Sequence, residues 1–202
     1  MKQILSTILI VFSAAAIGMP LKLRAAETKT QKSPAALSAN FVMTRTLAAL
    51  KTDLKSEGRL VLGGPGRLRW ETLSPSKSVL VINAGVGWIH YPDLGVTKRF
   101  DISTDPVMRV LSEHLLLLTA GQFDRMGDKY EVSSTADGRI LKPKTPEVKK
   151  FFKEMQVAMD KIGAVSRVML ISADGDTTTI EFQQVVQNPK LTDDLFAEPK
   201  SR

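Results

Sequence analysis

From Asn40 onward, apolar and polar residues alternate in short runs divided by turn-forming residues, and this two-residue period predicts β-strands. The first series covers 40–49, 54–63, 66–73, 77–83, 86–91 and 95–101, divided by Gly63-Gly64-Pro65, Ser74-Pro75-Ser76, Ala84-Gly85 and Pro92-Asp93. A second series covers 129–134, 138–142, 152–160, 165–173 and 176–186, with Asp174-Gly175 forming a tight hairpin. Links this short join antiparallel neighbours. Within Arg67-Leu68-Arg69-Trp70-Glu71, alternation sets Leu68 and Trp70 on one sheet face and Arg67, Arg69 and Glu71 on the other. One stretch fits two periods. Val148, Phe151, Phe152, Met155, Met159 and Ile162 suit helical spacing, while Met155, Val157 and Met159 alternate; the neighbouring strands and short turns favour a strand.

Asp105 to Thr119 breaks the alternation. Asp105 suits an N-cap, Pro106 the first helical position and Gly121 the residue just past the end, so a helix is predicted. Its stripe of Val107, Val110, Leu111, His114, Leu115 and Leu118 would face the sheet, and Leu116 and Leu117 make its last turns apolar on nearly every side. Two readings stand level: a helix buried in a core, or a helix that lids an apolar cavity.

The N-terminus decides the compartment. A positive Met1-Lys2 start, an apolar stretch from Ile4 to Met19 and the small pair Ala25-Ala26 predict a cleavable signal peptide over 1–26. The apolar stretch is shorter than the roughly 20 residues a membrane span needs, and an uncleaved anchor is the alternative reading. Residues 27–39 read as a polar tail or short helix, and 40–202 as one domain. The chain has 202 residues and no Cys, which excludes disulfides and a lipoprotein anchor. Cleavage would remove Lys2, Lys22 and Arg24 and no acid, lowering the formal charge of +7 by three.

The remaining bases are scattered. Even the densest group, Lys142, Lys144, Lys149 and Lys150, has no interleaved aromatic on which bases could stack, so nucleic-acid binding is not expected. His90 and His114 are too few and too separated for a metal site and read as packing residues. Asp101, Asp105, Asp124 and Asp128 read as caps and solvated loop residues. Neither G-x-S-x-G nor H-E-x-x-H occurs, the one S-x-x-K match, Ser74-Pro75-Ser76-Lys77, falls on a predicted turn, and Ser112-Glu113-His114 lie side by side on a predicted helix that points them apart. No enzyme is expected.

A strand ending in Gly, a Gly-rich turn with Pro65, Leu68-x-Trp70, a turn with Pro75, the apolar strand Val79 to Ile82, and Trp88 followed by Pro92 together resemble the LolA family of outer-membrane lipoprotein carriers. Gly175-Asp176 before Thr177 to Phe182, then Asn188, Leu191 and Phe196, extend the likeness over residues 40–198. The resemblance implies an α+β, mainly antiparallel β fold: a curved half-barrel sheet with an apolar cavity covered by a helical lid. It implies a monomeric periplasmic carrier with no cofactor, which takes lipoprotein or related lipid cargo from an inner-membrane transporter to an outer-membrane receptor. Candidate acyl-contacting residues are Leu68, Trp70, Leu80, Ile82 and Trp88 on the sheet and Leu111, Leu115 and Leu118 on the helix. For both tryptophans a plain core role stands beside the cavity role.

Two departures accompany the likeness. Gly64 occupies the place where family members carry the Arg that latches turn to lid, and the chain stops at Pro199-Lys200-Ser201-Arg202 where they continue. Both point to a specialised paralogue. The alternatives are a periplasmic binding protein for another lipid and a non-catalytic protein-interaction module.

Overall fold

The computed structural model describes residues 36–64, 66–104, 123, 127–149, 152–161 and 163–199. Eleven strands form one sheet: β1 (Leu37–Leu47), β2 (Thr52–Leu62), β3 (Arg67–Ser74), β4 (Ser78–Asn83), β5 (Val86–Tyr91), β6 (Val96–Asp101), β7 (Tyr130–Ser134), β8 (Gly138–Pro143), β9 (Phe152–Met159), β10 (Val165–Ser172) and β11 (Thr177–Gln187). Each of the eleven runs predicted from alternation is a strand. The ambiguous stretch is strand β9, with a short helix, Pro146–Lys149, ahead of it. β1 begins at Leu37, inside the stretch expected to be a tail. The signal peptide over 1–26, residues 27–35 of the tail and the helix over Asp105 to Thr119 lie outside the described residues.

The strand order is β6-β5-β4-β3-β2-β1-β11-β10-β9-β8-β7, antiparallel at every pairing. Two meanders therefore meet where β1 pairs with β11, at the centre of an open sheet. Its edges are β6 and β7, the two strands joined by the longest connection in the sheet.

Side-chain alternation gives the sheet a buried inner face. In the first half, Leu37, Ala39, Phe41, Met43, Leu60, Leu62, Leu68, Trp70, Leu80 and Ile82 form one buried apolar cluster. In the second, Tyr130, Leu141, Phe152, Met155, Val157, Val165 and Val168 form another, with Phe123. Phe182 on β11 packs against both clusters and makes the inner surface continuous. Each leucine fully removed from water contributes about 1.5–3 kcal/mol, so this face is the main source of stability.

Glycine sets the spacing at two inner positions. Gly58 pairs with Phe41, and a Cβ on Gly58 would stand 2.5 Å from Phe41 Cζ and 1.9 Å from the Glu71 carbonyl oxygen. Gly87 pairs with Phe100 in the same way, its missing Cβ falling 2.0 Å from Phe100 Cζ. The rings occupy the space that a larger residue would fill.

Candidate functional site

The inner face over β3, β4 and β5 is fixed by register. Leu68 lies opposite Leu62 and Ile82, and Trp70 opposite Leu60 and Leu80, which faces Ile89 on the far side. Trp70 also packs on Phe41, ring centroids 4.3 Å apart and planes tilted by 32°, a contact slightly closer than the roughly 4.5–7 Å usual for aromatic pairs. Leu68, Trp70, Leu80 and Ile82 thus come together on one buried surface, as their alternation predicts. The only buried polar residues among those described are Ser56 and His90. Ser56 pairs with Met43 on the inner side, so the apolar surface holds no buried charge among the described residues.

Trp88 does not join them. It pairs with Val81 and Arg99, and Val81 pairs with Arg69, so Trp88 stands on the outer face. The expectation that it lines the same surface as Trp70 is corrected by the two-residue turn Ala84-Gly85. That turn pairs Asn83 with Val86, and counting two residues on from each partner puts Trp88 opposite Val81, away from Leu80 and Ile82. The signal was in the sequence: the length of the turn fixes the register. Trp88 Nε1 is buried and finds no hydrogen-bond partner among the described residues. His90, also on the outer face, is buried with its Nδ1 2.8 Å from Thr97 Oγ1. Leu111, Leu115 and Leu118 lie outside the described residues.

Gly64 has φ 93°, a conformation that an L side chain rarely adopts. The turn itself therefore selects glycine at this position. The neighbouring arginines face outward, as alternation predicts, and bind the C-terminal segment. Arg67 Nε donates to Gly63 O at 3.0 Å, Arg67 Nη1 reaches Asp193 Oδ1 at 2.7 Å, and the guanidinium carbon lies 4.8 Å from the centroid of the Phe196 ring. Arg69 pairs with Glu71 and donates from Nη1 to Leu195 O at 3.0 Å. Asn83 Nδ2 donates to Phe196 O at 3.2 Å. Phe196, at the end of the 3-10 turn Asp193–Phe196, is fully buried beside Gly63, whose missing Cβ leaves room for the ring. This outer clasp was missed in the sequence because its partners lie about 126 residues apart.

The Ser103 hydroxyl and backbone N–H hold Asp101 below the usual carboxylate range, and Ser172 does the same for Asp174. Both act as turn caps, as expected of Asp101; Asp128 is exposed, and Asp105 and Asp124 lie outside the described residues. Burial pushes the phenols of Tyr91 and Tyr130 up. At the far end of the second half, a groove of about 520 Å³ lies between Thr135–Arg139 on one side and Met159, Asp160, Lys161 and Gly163 on the other. Arg139, Lys161, Asp137 and Asp160 line it, so it is polar where the inner face is apolar.

Residues 32–198 match the family model described as outer membrane lipoprotein carrier protein LolA. An outer-membrane lipoprotein carrier protein of Azotobacter vinelandii is 31% identical over a stretch covering 68% of this chain and 64% of that protein. One of Pseudomonas paraeruginosa is 26% identical, again over 68% and 64%. The matched stretch thus spans a little under two thirds of each relative's length. A crystal structure of a LolA superfamily protein from Nitrosomonas europaea aligns at TM-score 0.44 and 9% identity, over 81% of this chain and 90% of that one.

Proposed function

The chain belongs to the LolA family of outer-membrane lipoprotein carriers, and from that premise we propose that it is a periplasmic carrier whose inner sheet face shields the acyl chains of a lipoprotein or related lipid-linked molecule. The observation that carries this reading is the continuous apolar surface from Ile89 and Leu80 through Trp70, Phe41 and Phe182 to Leu141. Each acyl CH₂ left in water costs about 0.8 kcal/mol, so a lipid anchor crosses an aqueous space only when covered. Leu68, Trp70, Leu80 and Ile82 contact the chains, with Leu111, Leu115 and Leu118 as the opposing wall. Trp88 has no part in it. The donor is an inner-membrane transporter and the acceptor an outer-membrane receptor. No bond is made or broken, and delivery is driven by differences in affinity along the route.

The four sheet residues are already buried in the protein. Cargo therefore enters by displacing what packs on them, and affinity is lowered by the free energy of opening.

The absence of Cys makes a direct test simple. Ile89→Cys and Arg99→Cys, each labelled with a benzophenone maleimide, place a photoreactive group on the inner and outer face respectively. Irradiation in cells should give lipoprotein adducts from Ile89→Cys alone. Equal adducts from both faces, or none from the inner one in a folded variant, would overturn the reading.

A further inference from the structure

The large apolar residues that the protein leaves in water are not scattered. Six are exposed among the described residues: Leu50, Leu54, Leu73, Leu94, Val96 and Val186. Register places the first five at one end of the first half of the sheet. Leu50 and Leu54 are on the β1–β2 hairpin, where Leu47 pairs with Thr52 and Arg45 with Leu54. Leu73 adjoins the β3–β4 turn, and Leu94 and Val96 are on the β5–β6 hairpin, where Tyr91 pairs with Val96. Strand spacing sets these three hairpins about 10 Å apart along one rim. The backbone N–H of Lys77 reaches Asp93 Oδ2 at 3.5 Å and ties the second turn to the third.

Other turns of the sheet show what an ordinary solvated connection looks like here. The β10–β11 hairpin, at the same end, carries Asp174, Gly175 and Asp176. At the opposite end, Gly63-Gly64, Ala84-Gly85, Ala136-Asp137 and Asp160-Lys161 expose no large apolar side chain. Leu50 is 69% exposed and Leu94 63%, more than any other large apolar residue described, and both stand on hairpin tips that make no use of them. Apolar exposure gathered at one rim in this way suits an interaction surface.

The charges beside these leucines identify the partner. Residues 48–55, 73–78 and 91–98 hold Lys51, Lys55, Lys77 and Lys98 against Asp53 and Asp93. None of the four lysines forms an ion pair with a described residue, whereas Asp53 accepts from Thr46 Oγ1 and Asp93 from the Lys77 N–H. Leucines at the tips with unpaired lysines behind them suit an anionic bilayer surface: the leucines enter the acyl boundary while the ammonium groups meet phosphates.

We propose that this three-hairpin rim is a membrane-docking edge that inserts shallowly into an anionic lipid leaflet. The proposal goes beyond the carrier reading, since cargo shielding concerns the inner face and docking concerns the rim.

The test is co-sedimentation of the exported protein with vesicles of phosphatidylcholine, with and without phosphatidylglycerol. Wild type is compared with Leu50→Ser/Leu54→Ser/Leu94→Ser and with Lys51→Gln/Lys55→Gln/Lys77→Gln. All share one N-terminus, so any contribution from it cancels. All six side chains are exposed, and circular dichroism is used to check that each variant folds. Wild type should bind the anionic vesicles, the leucine variant at least tenfold more weakly, and the lysine variant should lose the preference for phosphatidylglycerol. No binding by wild type, or undiminished binding by the leucine variant, overturns the proposal. Binding confined to vesicles that contain a membrane protein assigns the rim to a protein partner and overturns it too. Fluorescent acyl-probe affinity, read on the same samples, should be unchanged in both variants; its failure in wild type would count against the carrier reading and leave the docking result standing.

Discussion

Trp70 and Trp88 lie on neighbouring stretches of the same half-sheet and face opposite ways. Trp70 is buried on the inner face against Phe41, in a cluster of leucines. Trp88 is half-buried on the outer face between Val81 and Arg99, with an indole N–H that no described residue accepts. The inner face holds its tryptophan by dispersion and burial, the outer one works through directed contacts from Arg67, Arg69 and Asn83 to the C-terminal segment. The same residue type thus has different worth on each face.

Trp70→Ala should show the largest effect, a loss of about 3–5 kcal/mol in urea unfolding, because the cavity is walled by Phe41, Leu60 and Leu80 and collapses poorly. A loss under 1 kcal/mol would mean that the inner face is plastic there. Phe196→Ala, its counterpart on the outer face, should open the clasp: cleavage by a protease after Asn188 should accelerate while acyl-probe affinity stays within twofold. If probe binding falls with it, the two faces are not independent.

Gly58→Ala should cost about 1–3 kcal/mol, since the methyl meets the Glu71 carbonyl as well as the Phe41 ring and the backbone must move. Thermal melts check this, and an unchanged melting temperature would show that β2 and β3 can separate locally. Trp88→Phe should lie within about 1 kcal/mol of wild type or be stabilising, because it removes a buried donor without a partner. A severe loss would reveal a hydrogen bond to Nε1.

The smallest effect concerns pH. Hydrogen bonds from Ser103 depress the folded pKa of Asp101, so the stability this group adds is present above its unfolded value near 3.9 and is lost as pH falls through the lower folded value. Ser103→Ala should remove the share that comes from the hydroxyl and keep that of the backbone N–H. Melting temperatures of wild type and variant should differ at pH 6 and converge as the pH drops below about 4.

Much of this architecture was legible in the sequence, and the reason is local. Alternation and turn chemistry act over a few residues, so all eleven strands and the outward direction of Arg67 and Arg69 could be read. Trp88 was grouped with Trp70 by residue type, although the Ala84-Gly85 turn determines its partner. The Arg67–Asp193 and Asn83–Phe196 contacts could not be read at all, because nothing in either segment names a partner more than a hundred residues away. Gly64 lay between these cases: its identity was plain, but its reason, a left-handed backbone, appears only when the turn is built. The membrane rim escaped notice because Leu50 and Leu94 are unremarkable until register brings their hairpins to one end.

The meeting of β1 with β11 at the centre of the sheet carries a kinetic consequence. Arg45 and Asp176, 131 residues apart, are joined by a 2.7 Å ion pair across that seam. Each meander can form hairpin by hairpin from near neighbours, but the seam requires closing nearly the whole chain on itself, and such long-range pairing slows folding. During synthesis β1 waits, with one hydrogen-bonding edge bare, until β11 has been made. A bare edge invites pairing with another chain. Thr44, Arg45 and Thr46, with the opposing Thr177, Thr178 and Thr179, make that waiting edge polar over the stretch of the seam that lies nearest the hairpin tips. The feature that joins the two halves of the sheet is thus the step at which a newly made molecule is most exposed to aggregation.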